Sequence, residues 1–126
     1  MGFKFVVYLD KICPKYLYQN IMAINNESFG EYIRKCREEK DLPLRKVAAK
    51  LDIDPSTLSK IERGERVAHR DMIPIFAHIF NRNKEELYTI FLSDKVVYEL
   101  INEKNTEEIL KVAENKIQYI RQKSQK

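Results

Sequence analysis

The sequence predicts an all-α protein. Two observations carry that expectation. Leu42 to Gly64, LPLRKVAAKLDIDPSTLSKIERG, reads as two short helices joined by a tight turn. From Ser28 to the C terminus, apolar residues recur at helical spacing between cap and turn residues, with no sustained alternation. Composition agrees: the chain has only 3 Gly and 4 Pro, and Glu and Lys, both good helix formers, are frequent.

The central pair sets the frame. Asp54-Pro55 is a helix start: the Asp54 carboxylate is expected to accept the free N–H groups of the first turn. Pro55 at the first position loses nothing by lacking an N–H. The helix runs to about Arg63 and stops at Gly64, which readily takes the left-handed C-terminal conformation. Leu58 and Ile61, three apart, point inward. Pro55, Ser56, Thr57, Ser59, Lys60 and Arg63 are left outward or on the flanks. In the partner helix, Leu44 to Leu51, Val47, Ala48 and Leu51 form the apolar face. Asp52 sits at the turn, tolerating left-handed backbone better than most residues. Ile53 returns to the core.

The pattern L-x-x-x-x-V-A-x-x-L-x-I-x-x-S-T-L-S-K-I-E-R-G-E-R, from Leu42 to Arg66, resembles the helix-turn-helix of the XRE family, relatives of the phage lambda Cro and repressor domains. The specific part is STLSKIERGER, Ser56 to Arg66, and the resemblance spans roughly Phe29 to Phe91. It implies a five-helix lambda-repressor-like helix-turn-helix domain whose third helix enters the major groove of double-stranded DNA. By that resemblance the base-reading positions are Pro55, Ser56, Thr57 and Lys60. Ser and Thr accept from or donate to either base type, Thr also touches the thymine methyl, and Lys reaches guanine O6 and N7. Arg63 and Arg66 fall where the family touches phosphates, and Glu62 braces the third helix. Two departures stand out. The usual Thr-Gln opening of helix two is Pro43-Leu44 here, and the turn Gly is Asp52. Polar anchoring of the DNA backbone is then expected to move to Arg45 and Lys46.

Each residue also has a plainer reading. Ser56 and Thr57 suit any helical first turn, and Lys60 with Arg63 suits a solvated face. Their joint occurrence at the family's spacing favours DNA.

The remaining elements follow from caps and stripes. In helix one, Ser28 and Glu31 form a capping box and Phe29, Ile33 and Cys36 the inward stripe, with Tyr32 beside it. The loop Glu65 to Arg70 shows no regular pattern; its Arg66, His69 and Arg70 suit a phosphate strand, although a lone loop His is usually solvated. Helix four is expected from near Asp71, with Pro74 in its first turn and Ile73, Phe76, Ala77 and Phe80 facing in. Helix five opens with a second box, Asn83 to Glu86, and closes the domain with Leu87, Tyr88 and Phe91. Ser93 and Asp94 look like a fresh helix start. Asn105 with Glu108 predicts a last box before a helix with Ile109, Ala113, Ile117 and Ile120 in a stripe. That stripe must bury itself, either on helix five or on a second chain.

The expected organisation is an N-terminal extension over 1–26, a DNA-binding domain over 27–92 and a helical tail over 93–126. In the extension, Phe3 to Leu9 is β-prone without a partner strand. One reading makes Met22 the natural start and residues 1–21 the product of a start codon placed too early. Its rival is a short arm packing on the domain or on a dimer mate.

Net charge is +4 over 126 residues, which favours a polyanion partner without demanding one. Cys13 and Cys36 have no metal-ligand spacing, and Cys36 reads as a buried thiol acting as a small hydrophobe. No apolar run is long enough to span a membrane. The sequence holds no Gly-rich phosphate loop, no HExxH, no CxxC and no nucleophile motif, so neither an enzyme nor a cofactor or metal is expected. The resemblance implies a cytoplasmic, sequence-specific regulator acting as a homodimer on an inverted repeat. Its layout also looks like restriction–modification controllers and like antitoxins. The alternative class is an interaction module that binds another protein through its tail.

Overall fold

The computed structural model describes residues 27–125, and every regular element among them is helical. The expectations for Phe3 to Leu9, Cys13 and Met22 lie outside the described residues. In order, the elements are α1 (Phe29–Glu39), α2 (Leu44–Leu51), α3 (Pro55–Glu62), a single 3-10 turn (Arg70–Met72), α4 (Ile73–Phe80), α5 (Lys84–Leu100) and α6 (Thr106–Ser124). The chain divides into two compact units, one ending at Asp94 and the other beginning at Lys95.

The first unit owns the core. Phe29, Tyr32, Ile33 and Cys36 from α1 are buried with Val47, Ala48 and Leu51 of α2 and Leu58 and Ile61 of α3. From α4 come Ile73, Phe76, Ala77, Ile79 and Phe80, and from α5 Leu87, Ile90 and Phe91. Helical spacing predicted nearly all of these. Phe29 sits edge-on to both Phe76 (5.8 Å between centroids) and Phe91 (5.4 Å), tying α1 to α4 and α5. A buried polar contact crosses the same seam: the Tyr32 hydroxyl donates to the Glu86 carboxylate at 3.2 Å. Burial pushes the Tyr32 hydroxyl well above its usual value, so it stays a neutral donor.

Caps explain where the helices begin. The Ser28–Glu31 box forms reciprocally, Ser28 Oγ accepting from the Glu31 N–H and the Glu31 carboxylate from the Ser28 N–H. Asn83 accepts from the Glu85 and Glu86 N–H groups at 2.8 and 3.3 Å, but the Glu86 carboxylate is buried and goes to Tyr32. The Asp54 side chain makes no capping bond; it is exposed, and its carboxylate is left to water. Asn105 makes none either. Its backbone (φ −107°, ψ 46°) is far from the extended conformation that aims a cap at the first turn. Helix exits use short polar residues in left-handed backbone, Asp41 (φ 51°), Asp52 (φ 57°) and Asn81 (φ 51°), all of which tolerate it.

The expected helix start at Ser93–Asp94 does not occur, because α5 runs on to Leu100. Both residues find other partners. Ser93 Oγ bonds back to the Ile90 carbonyl at 2.7 Å, which suits a helix interior. Asp94 accepts from the Phe29 N–H at 2.8 Å and so completes the cap of α1 from 65 positions away.

This placement has a consequence for pH. Burial raises the Asp94 carboxyl above its ordinary value, the Phe29 N–H lowers it in part, and Glu31 adds to the rise. A carboxyl raised in the folded state binds its proton more readily there than in the unfolded chain. Its contribution to stability is therefore present at acid pH and lost as pH rises through the folded value. Asp94→Asn keeps an acceptor for Phe29 and removes the charge. It is expected to melt no lower than the parent at pH 7, with the difference shrinking in acid. A lower melting temperature at pH 7 contradicts this account.

Candidate nucleic-acid interface

Helix α3 is short and half of it is spoken for. Leu58, Ile61 and Glu62 are buried. What faces out lies on two adjacent rows: Pro55, Ser59 and Arg63 at steps of four, and Ser56 and Lys60 beside them. Pro55, Ser56, Lys60 and Arg63 are exposed. Thr57 is half-buried at the edge of this face, next to the buried side, and Ser59 is half-buried in its middle. Of the four residues expected to read bases, the helix thus gathers Pro55, Ser56 and Lys60 on one face and sets Thr57 at its flank.

The residues expected at the DNA backbone surround that helix. Arg45 and Lys46 are exposed in the first turn of α2, which packs on α3. Arg66 is exposed beyond the end of α3. Among the described residues, Arg45, Lys46, Lys60 and Arg66 form no ion pair. Arg63 is engaged: its Nε donates to the Ser59 carbonyl at 3.3 Å, and its guanidinium lies 3.3 Å from the Glu65 carboxylate. Arg70 lies over the Tyr88 ring at 5.1 Å.

Two residues fix this face from behind, and sequence reasoning missed both. Arg37 on α1 donates through Nε to both oxygens of Glu62, at 2.8 and 3.3 Å. Its Nη1 donates to the Leu42 carbonyl at 2.9 Å. One guanidinium thus joins α1, the segment entering α2, and the end of α3. The pair is nearly dry, with side-chain exposures of 15% and 4%. The bracing expected of Glu62 is present, and Arg37 is its partner. The second residue is Gly30. A Cβ there would meet the Ile61 carbonyl oxygen and lie 2.7 Å from that of Glu62. Only a residue without a side chain lets α1 approach the backbone of α3 this closely. The one signal in the sequence was a glycine early in a helix, where it costs stability unless something requires it.

The ends of α3 are defined by turns as well. Asp52 turns the chain out of α2, and the Ile53 N–H bonds back to the Ala48 carbonyl at 3.0 Å. Gly64, with φ 77°, releases the chain from α3, its N–H bonding the Ile61 carbonyl at 3.1 Å. The outcome is a basic and hydroxyl-bearing face that carries Ser56, the unpaired Lys60 and the Glu65-paired Arg63.

Among the described residues no group of His, Cys, Asp and Glu is placed to hold a metal, and no helix is long and apolar enough to cross a membrane. Burial raises the Cys36 thiol above its ordinary value, in keeping with a core role.

Residues 33–87 match the family model described as helix-turn-helix. No curated protein and no solved structure matches the chain.

Proposed function

Residues 33–87 form a helix-turn-helix domain of the XRE family, a DNA-binding family, and from that premise we propose that the chain is a sequence-specific regulator of transcription. In this reading α3 lies in the major groove. Ser56, Thr57 and Lys60 read base edges, with Pro55 packing beside them. Arg45, Lys46, Arg63 and Arg66 hold the phosphates on either side. The observation that carries the reading is the contrast within α3: its inner face is fixed by Leu58, Ile61 and the Arg37–Glu62 pair, while Ser56 and Lys60 are left in solvent. A helix backbone fixed before contact needs little ordering when DNA arrives. The half-exposed Arg63–Glu65 pair is worth little, so a phosphate displaces it readily.

The protein acts in the cytoplasm as a homodimer on an inverted repeat and controls transcription by occupying a promoter. Its own gene or a neighbouring restriction–modification gene is the target this small domain with a helical tail suits best. A second reading, an antitoxin or other interaction module, is favoured by the apolar residues that the tail exposes, such as Val97, Ile101 and Ile120.

Titration with the chain's own upstream DNA against scrambled DNA, at several salt concentrations, tests the regulator. Specific binding is expected to be tighter by about a thousandfold or more, and both affinities to fall with salt. Lys60→Ala is expected to cost about 1–3 kcal/mol on the cognate site and to relax its specificity. Arg63→Ala should weaken all sequences nearly alike. Equal, weak binding to both DNAs sinks the regulator and leaves the interaction module.

A further inference from the structure

The second unit cannot account for its own shape. No residue from 95 to 125 is buried. Leu100 and Ile109 are half-buried, and the other large apolar side chains are exposed, from 44% at Val96 to 68% at Ile101. A cleft of about 220 Å³ lies open between the end of α5 and the start of α6, lined by Val96, Val97, Leu100, Ile101, Thr106 and Leu110. On α6 the apolar residues, Ile109 to Ile120, spread over about half the helix circumference, more than the narrow seam a single neighbouring helix covers. Short helices in water draw most of their stability from packing, so this face needs a cover.

We propose that the cover is a second copy of the same unit, with the two α6 helices antiparallel and centred near Asn115. This rests on the dimeric reading above and adds to it the surface, the direction and the register.

Two features of α6 select that occupant. The first is its apolar spacing. Leu110, Ala113, Ile117 and Ile120 are separated by three, four and three residues, a series that reads the same in both directions. Two antiparallel copies therefore bring Leu110 level with Ile120 of the second copy, and Ala113 level with Ile117. Small meets large at each of the inner layers. A surface that matches its own image under a two-fold rotation is what a symmetric dimer requires.

The second is charge. The first half of α6 carries Glu107, Glu108 and Glu114 against Lys111, whereas the second half carries Lys116, Arg121 and Lys123 with no acid. Antiparallel pairing lays the acidic half along the basic half, twice over by symmetry. Parallel pairing sets like against like and brings Lys116 towards Arg121 of the second copy. In the antiparallel arrangement, like charges meet only near the axis, where Glu114 and Lys116 each approach their own image. The open clefts of the two copies then close together, and Ile101 and Val97 gain apolar neighbours.

The test uses the full chain. Sedimentation equilibrium is expected to give twice the 15.0 kDa chain mass at micromolar concentration. Ile117→Glu, on a residue already 48% exposed, is expected to weaken the dimer at least tenfold while the first unit melts unchanged. For direction, Leu110→Cys and Ile120→Cys are made separately in a Cys13→Ser background and then mixed under oxidation. Mixed disulfide dimers are expected, and Leu110→Cys alone should not cross-link. Self-cross-linking by Leu110→Cys overturns the antiparallel direction. A monomer at all concentrations, or a dimer indifferent to Ile117→Glu, overturns the second copy and leaves the tail to another protein. DNA titration of the same samples separates the two ideas: a monomer that still selects its operator sinks this dimer alone, and a dimer without selectivity sinks the regulator alone.

Discussion

Glu62→Ala is expected to cost about 3–5 kcal/mol of folding stability, read by chemical denaturation of the full chain. The reason is what stays behind. The Arg37 guanidinium loses its carboxylate partner, and its side chain is only 15% exposed. Without Glu62 its Nε faces no acceptor, and only the bond from Nη1 to the Leu42 carbonyl persists. The exposed pairs Arg34–Glu38 and Arg82–Glu39 look similar in distance, at 3.0 and 3.1 Å, yet each adds little to stability, because water replaces either partner. Burial decides the ranking. Arg37→Lys is expected to lose much of the same stability, since one ammonium cannot serve two carboxylate oxygens and a carbonyl in that planar arrangement. The double variant Arg37→Leu with Glu62→Leu should recover most of the loss, because no charge is stranded. Small domains commonly have about 5–15 kcal/mol in total, so the single variant sits near the edge of folding. If Glu62→Ala and Arg37→Ala each cost under about 1 kcal/mol, the pair does not brace α3.

The fold was legible because its signals are local. The inward residues of α1 to α4 follow from 3.6-residue spacing, and Pro55, Gly64 and Asp52 mark turns by their own backbone preferences. The outward face of α3 was legible for the same reason: once Leu58 and Ile61 point in, Ser56 and Lys60 must point out. Most of what failed were cases where a distant partner outbid the local one. Ser93–Asp94 has the composition of a helix start, but Asp94 caps α1 and the helix passes through. Glu86 stands three residues after a capping Asn, but its carboxylate goes to Tyr32. Asn105 and Glu108 have the spacing of a box, but the backbone at Asn105 is turned away from it. Arg37 and Glu62 lie 25 positions apart, and no periodicity joins them. The outward residues of α3 were readable one helix at a time, whereas Arg37 and Gly30, which fix α3 from a distant helix, were not.

Gly30→Ala is the sharpest test of how that helix is held. On an isolated helix the change helps, since Ala is favoured over Gly by about 1 kcal/mol. Here the added methyl has no room. It would meet the Ile61 carbonyl oxygen and stand 2.7 Å from the Glu62 oxygen and 3.0 Å from the Glu62 carbonyl carbon. These are backbone atoms at the end of α3, so no side chain can rotate away. Relief requires α1 and α3 to separate by about 1 Å, and forced overpacking of this kind costs about 1–3 kcal/mol or more. With contacts to fixed backbone the upper end applies, so a net loss of about 2 kcal/mol is expected in the thermal or chemical melt. The shift also predicts a second effect. Hydrogen bonds to bases span about 2.7–3.2 Å and weaken steeply outside that range, so under the docking proposed above a displaced α3 loses base contacts before it loses diffuse attraction to phosphates. Gly30→Ala is therefore expected to lower affinity for the cognate site more than for scrambled DNA, at a temperature where the variant is still folded. A variant that is more stable than the parent and binds both DNAs unchanged shows that α1 and α3 have room between them, and that Gly30 does not set the position of α3.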